Sequence, residues 1–165
     1  MGKLTEYLRA EATTIREDRE RRHAAVTEWL GILDELFSRI DRWLDASDPD
    51  RLLERTARSV ELWDPALGRY TGPSRHVAVG DKAVEVVPKA RYIAWPIRPP
   101  GTDRPVRAHG LVELRDPVGS VVYLFELPGD RWFIKADAGN LNVSENAVEP
   151  LDQDRFEAAL ASLLA

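Results

Sequence analysis

The chain has 165 residues, of which 44% are apolar and 31% charged, with a net charge of −5 and no cysteine. That length holds one ordinary domain plus an appendage, and the composition excludes a disordered chain or a membrane-embedded one. The missing cysteines exclude disulfides, thiolate metal sites and cysteine nucleophiles.

No window reaches the ~20 consecutive apolar residues of a spanning helix, and MGKLTEYLRAEA has no unbroken apolar core of a secretory signal. The expected location is therefore cytoplasmic. Arginine outnumbers lysine 19 to 4, a bias that accompanies GC-rich, bacterial genomes.

The strongest pattern in the chain is the stem from Ala24 to Leu44. Val26, Trp29, Leu30, Ile32, Leu33, Leu36, Phe37, Ile40, Trp43 and Leu44 fall within an arc of roughly 160° at about 100° per residue. Glu28, Asp34, Glu35, Ser38, Asp41 and Arg42 fill the rest of the circle. Val26, Trp29, Leu33, Leu36, Ile40 and Trp43 alternate at spacings of 3 and 4, which suits a helical partner. The arc is wider than a two-stranded seam needs, which favours a bundle or a sheet. Gly31 weakens this helix by up to ~1 kcal/mol and is read as a close approach.

Upstream, Leu4, Leu8 and Ile15 lie in phase with the stem, with Tyr7 and Ala12 at the edges of its arc. Residues 16–23 carry no apolar side chain, and Glu17–Arg21 and Asp18–Arg22 have the favourable i,i+4 order. One helix is thus expected from about Leu4 to Leu44, divided into a tip (4–15), a charged spacer (16–23) and the stem (24–44). It occupies residues 1–46, ahead of a small α+β domain over 47–165. The charged stretch reads either as the solvated middle of an ordinary helix or as a spacer holding the tip away from the body. At roughly 60 Å the helix outruns a six-stranded sheet of about 25–30 Å, so its first half should protrude.

Ser47 with Asp50 has the form of a capping box, with Pro49 tolerated in a first turn, and predicts a short second helix from Pro49 to Ser59 burying Leu52 and Leu53. Asp64-Pro65 and Gly68 to Pro73 read as loop. From Arg75 the period becomes two, with strands expected near 75–79, 82–87, 91–97, 106–114, 120–127 and 131–136. In the fourth, Val106, Ala108, Val112 and Leu114 share one face. The fifth is apolar on both sides apart from Glu126, hence covered twice. Residues 150–165 form a helix capped by Asp152, expected on one sheet face with the stem on the other. The fold class is α+β: a long amphipathic N-terminal helix, a short second helix, about six antiparallel strands as a meander sheet or open barrel, and a C-terminal helix.

No residue set carries a catalytic, metal or cofactor signature. His23, His76 and His109 lack ligand spacing and read as surface residues, and no phosphate-binding or nucleophile-elbow motif occurs. Carboxylate pairs Asp48/Asp50 and Asp152/Asp154 sit at expected helix starts, where the dipole accounts for them. Asn142 opens an N-x-S that has no meaning without a secretory route. The one constellation with a mechanism is basic: residues 66–107 hold eight basic and three acidic side chains, and Lys89, Arg91, Arg98, Arg104 and Arg107 form a candidate anion-binding set beside Tyr92 and Trp95.

The expected function is a non-enzymatic oligomerisation or adaptor subunit of a bacterial multi-protein complex. Its interface would use Leu4, Tyr7, Leu8, Ile15, Trp29, Leu36 and Trp43, and its partner would be another protein or a copy of itself. An accessory nucleic-acid-binding protein using 89–107 is the alternative, and an enzyme of unknown class comes third.

Overall fold

The computed structural model describes residues 2–93, 95–135 and 147–165. Ala94, in the middle of the strand expected over 91–97, Ala136, the last residue of the one expected over 131–136, and Asn142 lie outside the described residues.

The first helix, α1, is continuous from Lys3 to Ser47. Thr13, Thr14 and Thr27 donate their hydroxyls to carbonyls four residues back, the back-bonding that satisfies a threonine hydroxyl in a helix interior. In the charged stretch Asp18 pairs with Arg21, one turn away, rather than with Arg22. At 1.5 Å per residue the helix is about 67 Å long.

The short second helix is not there; residues 54–64 are a strand. Asp48 stops α1 and turns the chain: its N–H donates to the Leu44 carbonyl, and its carboxylate accepts the N–H groups of Leu52 (2.7 Å) and Leu53 (2.9 Å). Those bonds hold the Asp48 carboxyl below its usual range. Ser47, read as the second helix's N-cap, instead donates to the Trp43 carbonyl within α1. Leu52 is exposed.

The strands follow: β1 Glu54–Asp64, β2 Gly68–Val79, β3 Lys82–Arg91, β4 Pro96–Ile97, β5 Val106–Arg107, β6 Gly110–Arg115, β7 Val121–Leu127, β8 Arg131–Lys135 and β9 Glu149–Pro150, ahead of helix α2, Gln153–Leu164. Seven strands form an open antiparallel sheet in the order β1-β2-β3-β6-β7-β8-β9, and β4–β5 make a separate ribbon. β1 pairs with β2 over its whole length, from Glu54↔Ala78 to Asp64↔Gly68, and this pairing overrides the weak local preference for helix. The expected loop over Gly68 to Pro73 is therefore strand. Pro73 is tolerated because β3 pairs with β2 only from Arg75 onward, leaving that stretch partnered on one side.

Both helices cover one face of the sheet, against the expectation of one on each. Trp29, Leu33, Leu36, Phe37, Ile40 and Leu44 of α1 join Phe156, Ala159 and Leu160 of α2 over Val84, Val86, Val112, Leu114, Val122 and Leu124. The rings of Trp43 and Phe156 meet at 5.6 Å. Asp152 caps α2 as expected, accepting the Arg155 N–H at 2.8 Å. Ile97, Ala108, Leu111, Phe125, Leu127, Phe133 and Val148 fill the opposite face, so β7 is covered on both sides. The strand expected over 106–114 breaks into β5 and β6, which sends Ala108 to the cluster opposite Val112 and Leu114.

Trp29 seats the helix on the sheet. Its indole N–H donates to the Tyr70 hydroxyl at 3.1 Å, and its ring lies against Gly110, where an added Cβ would stand 2.5 Å from it. Gly110→Ala should therefore cost about 1–3 kcal/mol by overpacking, with Trp29→Phe in the same chain recovering part of it. Urea unfolding checks this; an unchanged midpoint for Gly110→Ala would mean the ring does not rest there.

Candidate functional site

Two features stand apart from the core: the first half of α1 and a cleft where its stem meets the sheet. Residues 3–24 are exposed throughout. Leu4, Tyr7, Leu8 and Ile15 retain 69, 61, 55 and 51% of their accessible surface, too much for residues packed on the body. Stepping back from Val26 in alternating intervals of 4 and 3 gives Arg22, Arg19, Ile15, Ala12 and Leu8. The tip's apolar side is thus continuous with the core-facing side of the stem. Of the other candidate interface residues, Trp29 and Leu36 are fully buried in the chain's own core, and Trp43 is half-buried against α2.

The basic segment is dispersed. Lys89 lies 4.0 Å from Glu113. Arg91 is interior. The Arg98 carbonyl accepts the Val148 N–H, tying that residue to the β9 approach. Arg104 and Arg107 are exposed, before and within β5. Trp95 packs on Tyr123 and Phe125, and Tyr92 on His109, so the aromatics face ring partners of their own.

Arg91 anchors the cleft. It ends β3 opposite Gly110, and Tyr92 after it has φ 57°, a left-handed conformation that strains a bulky residue. Arg91 Nη1 donates to Glu126 at 2.6 Å, with both side chains almost wholly buried, and Nη2 lies 3.5 Å from Glu28. The guanidinium lies over the Trp29 and Tyr92 rings at 5.0 and 4.8 Å, a desolvated cation–π arrangement. The Arg91 backbone N–H donates to Asp64, whose carboxylate also accepts those of Ala66 and Leu67 and so ties the β1–β2 turn to this corner.

The space in front of Arg91 is about 540 Å³. α1 contributes Glu28, Gly31, Ile32 and Glu35 at i, i+3, i+4 and i+7. The sheet side gives Tyr92, His109 and Glu126, and the turn after β7 gives Asp130. Gly31 marks no close approach, since an added Cβ would meet nothing within 4 Å; it widens this opening. Burial pushes the Glu126 carboxyl above its ordinary value, more than Arg91 draws it down. Glu35 is raised as well by the neighbouring Asp130 carboxyl, which can accept a hydrogen bond from the protonated form and whose charge disfavours a second one.

None of the cleft's acids was singled out from sequence as a site residue. Glu28 and Glu35 looked like solvent-side positions of the stem, and only Gly31 between them marked the place. His109 lines the cleft instead of standing free on the surface. Among the described residues no three histidine, aspartate or glutamate side chains converge as a metal site, and no helix is long and apolar enough to cross a membrane. No protein-family model, curated protein or solved structure matches the chain.

The ion pair yields a test with a sign. A carboxyl held above its unfolded value contributes stability that is full below the unfolded value and is lost as pH rises through the folded one. Arg91→Met leaves burial of Glu126 unopposed and raises its carboxyl further. The variant should lose about 3–5 kcal/mol near neutral pH and less toward pH 5, and adding Glu126→Leu should restore most of it. Denaturant titrations at the two pH values check this; a pH-independent loss would place the damage in packing alone.

Proposed function

We propose that this chain is a non-enzymatic adaptor or oligomerisation subunit that engages a second protein, most simply a copy of itself, through residues 3–24 of α1. The observation that carries the reading is the exposure of Leu4, Tyr7, Leu8 and Ile15 on one side of a helix that continues well past its body. Most helical stability in proteins comes from packing of an apolar face, and an exposed apolar strip is a contact surface by default. The arginine-rich composition and the lack of any candidate spanning helix among the described residues fit a bacterial, cytoplasmic complex.

Nucleic-acid binding draws less support. Arg91 is committed to Glu126, and Lys89 is near Glu113, so the exposed Arg104 and Arg107 would have to supply most of the phosphate contacts.

Leu8→Asp with Ile15→Asp places two carboxylates in the strip and should weaken self-association at least tenfold while leaving the body folded. Light scattering over a concentration series, with circular dichroism as the folding control, measures both. A wild-type chain that stays monomeric throughout would overturn self-association. A double variant that loses its fold would show the tip to be ordinary core.

A further inference from the structure

The charges on the arm carry information about how two copies would meet, an inference that rests on residues 3–24 serving self-association. Leu4, Leu8, Glu11, Ile15, Arg19 and Arg22 follow one another at intervals of 3 and 4, so they share one side of the helix. Ile15, Asp18, Arg19 and Arg22 border one open hollow there. Charge is divided along this side. Glu11 lies on the N-terminal side of Ile15, while Arg19 and Arg22 lie toward the body, and Asp18 beside them is held by Arg21. Among the described residues neither Glu11 nor Arg19 has an ion-pair partner. The helix itself offers none: three and four residues from Glu11 stand Tyr7, Leu8, Thr14 and Ile15, and around Arg19 stand Ile15, Arg16, Arg22 and His23.

We propose that two copies pair arm to arm in antiparallel, with the two-fold axis beside Ile15. Glu11, four residues before Ile15, then meets Arg19 of the second copy, four residues after it, and the symmetry makes this ion pair twice. Leu8 likewise lies against the methylenes of Arg22, which cover an apolar neighbour while the guanidinium stays in water. Parallel arms in register would instead set Glu11, Arg19 and Arg22 each against its own copy, a like-charge cost. The body gives the same answer independently. The strip lies on the side of α1 that meets the sheet from Trp29 onward. Parallel arms roughly 8–10 Å apart on that side would drive each stem into the other's sheet, even where Glu11 found Arg16 as a partner. Antiparallel arms stop in time: Lys3 reaches Thr27 of the second copy, two residues short of Trp29.

The chain has no cysteine, so Lys3→Cys gives one spin-label site per copy in the full chain. In the associated protein the two labels should lie about 36 Å apart, the rise over the residues from Lys3 to Thr27. Parallel arms would bring them within roughly 20 Å, the interaxial spacing plus the label arms. Glu11→Arg and Arg19→Glu should each weaken association by about tenfold or more in light scattering, since each sets like charges face to face. The double reversal restores opposite charges and should return association to within about threefold of the wild type, with circular dichroism as the folding control. A chain that stays monomeric at every concentration would overturn this pairing together with the self-association reading. In a chain that does associate, a short label distance, or a double reversal no tighter than the single ones, would overturn the antiparallel pairing alone.

Discussion

Between Trp29 and Leu44 the first helix places six side chains wholly inside the molecule, and the rest of the chain is arranged around that contact. The sheet can hold α1 only where its own apolar face continues, over β2, β3, β6 and β7. Trp29 sets the near end of the seam because Gly110 leaves room for its ring. Beyond it α1 has no sheet to lie on, and Arg22 and Arg19 take the positions where apolar residues would otherwise continue. One amphipathic helix thus serves as a core element for its second half and as a free arm for its first.

The same contact creates the cleft. Trp29 stacks on the Arg91 guanidinium, and Arg91 in turn reaches Glu126 on β7 and, through its backbone, Asp64 at the β1–β2 turn. A buried charge pair is a poor source of stability, since desolvation offsets most of its attraction. Here it joins helix, sheet and hairpin at one corner and leaves carboxylates facing open space. The left-handed Tyr92 turns the chain out of β3 at that point and sends it into the ribbon covering the other face.

Elements whose evidence lay in their own periodicity were legible from sequence: α1, α2 with its Asp152 cap, and the two-sided coverage of β7. β1 was not, because residues 54–64 contain helix-compatible side chains and take their conformation from an eleven-residue pairing with β2. The capping box was equally local and misleading; Asp48, one residue along, used its carboxylate to close a turn. The free arm could be anticipated from length alone, whereas the cleft could not. Its parts come from residues 28–35, 91–92, 109 and 126–130, and only the register Arg91↔Gly110 and the seating of Trp29 bring them together. Arg91 carried the clearest lesson: in sequence it belonged to a basic surface segment, but strand register turned it inward.

Native-state hydrogen exchange along α1, on the isolated chain at dilution, tests most directly the claim that the helix is half core and half arm. Amides from about Trp29 to Leu44 should exchange only through global unfolding, while those of residues 5–22 should exchange through local fraying with far less protection. Equal protection from end to end would contradict the division, since the first half would then be held as firmly as the core.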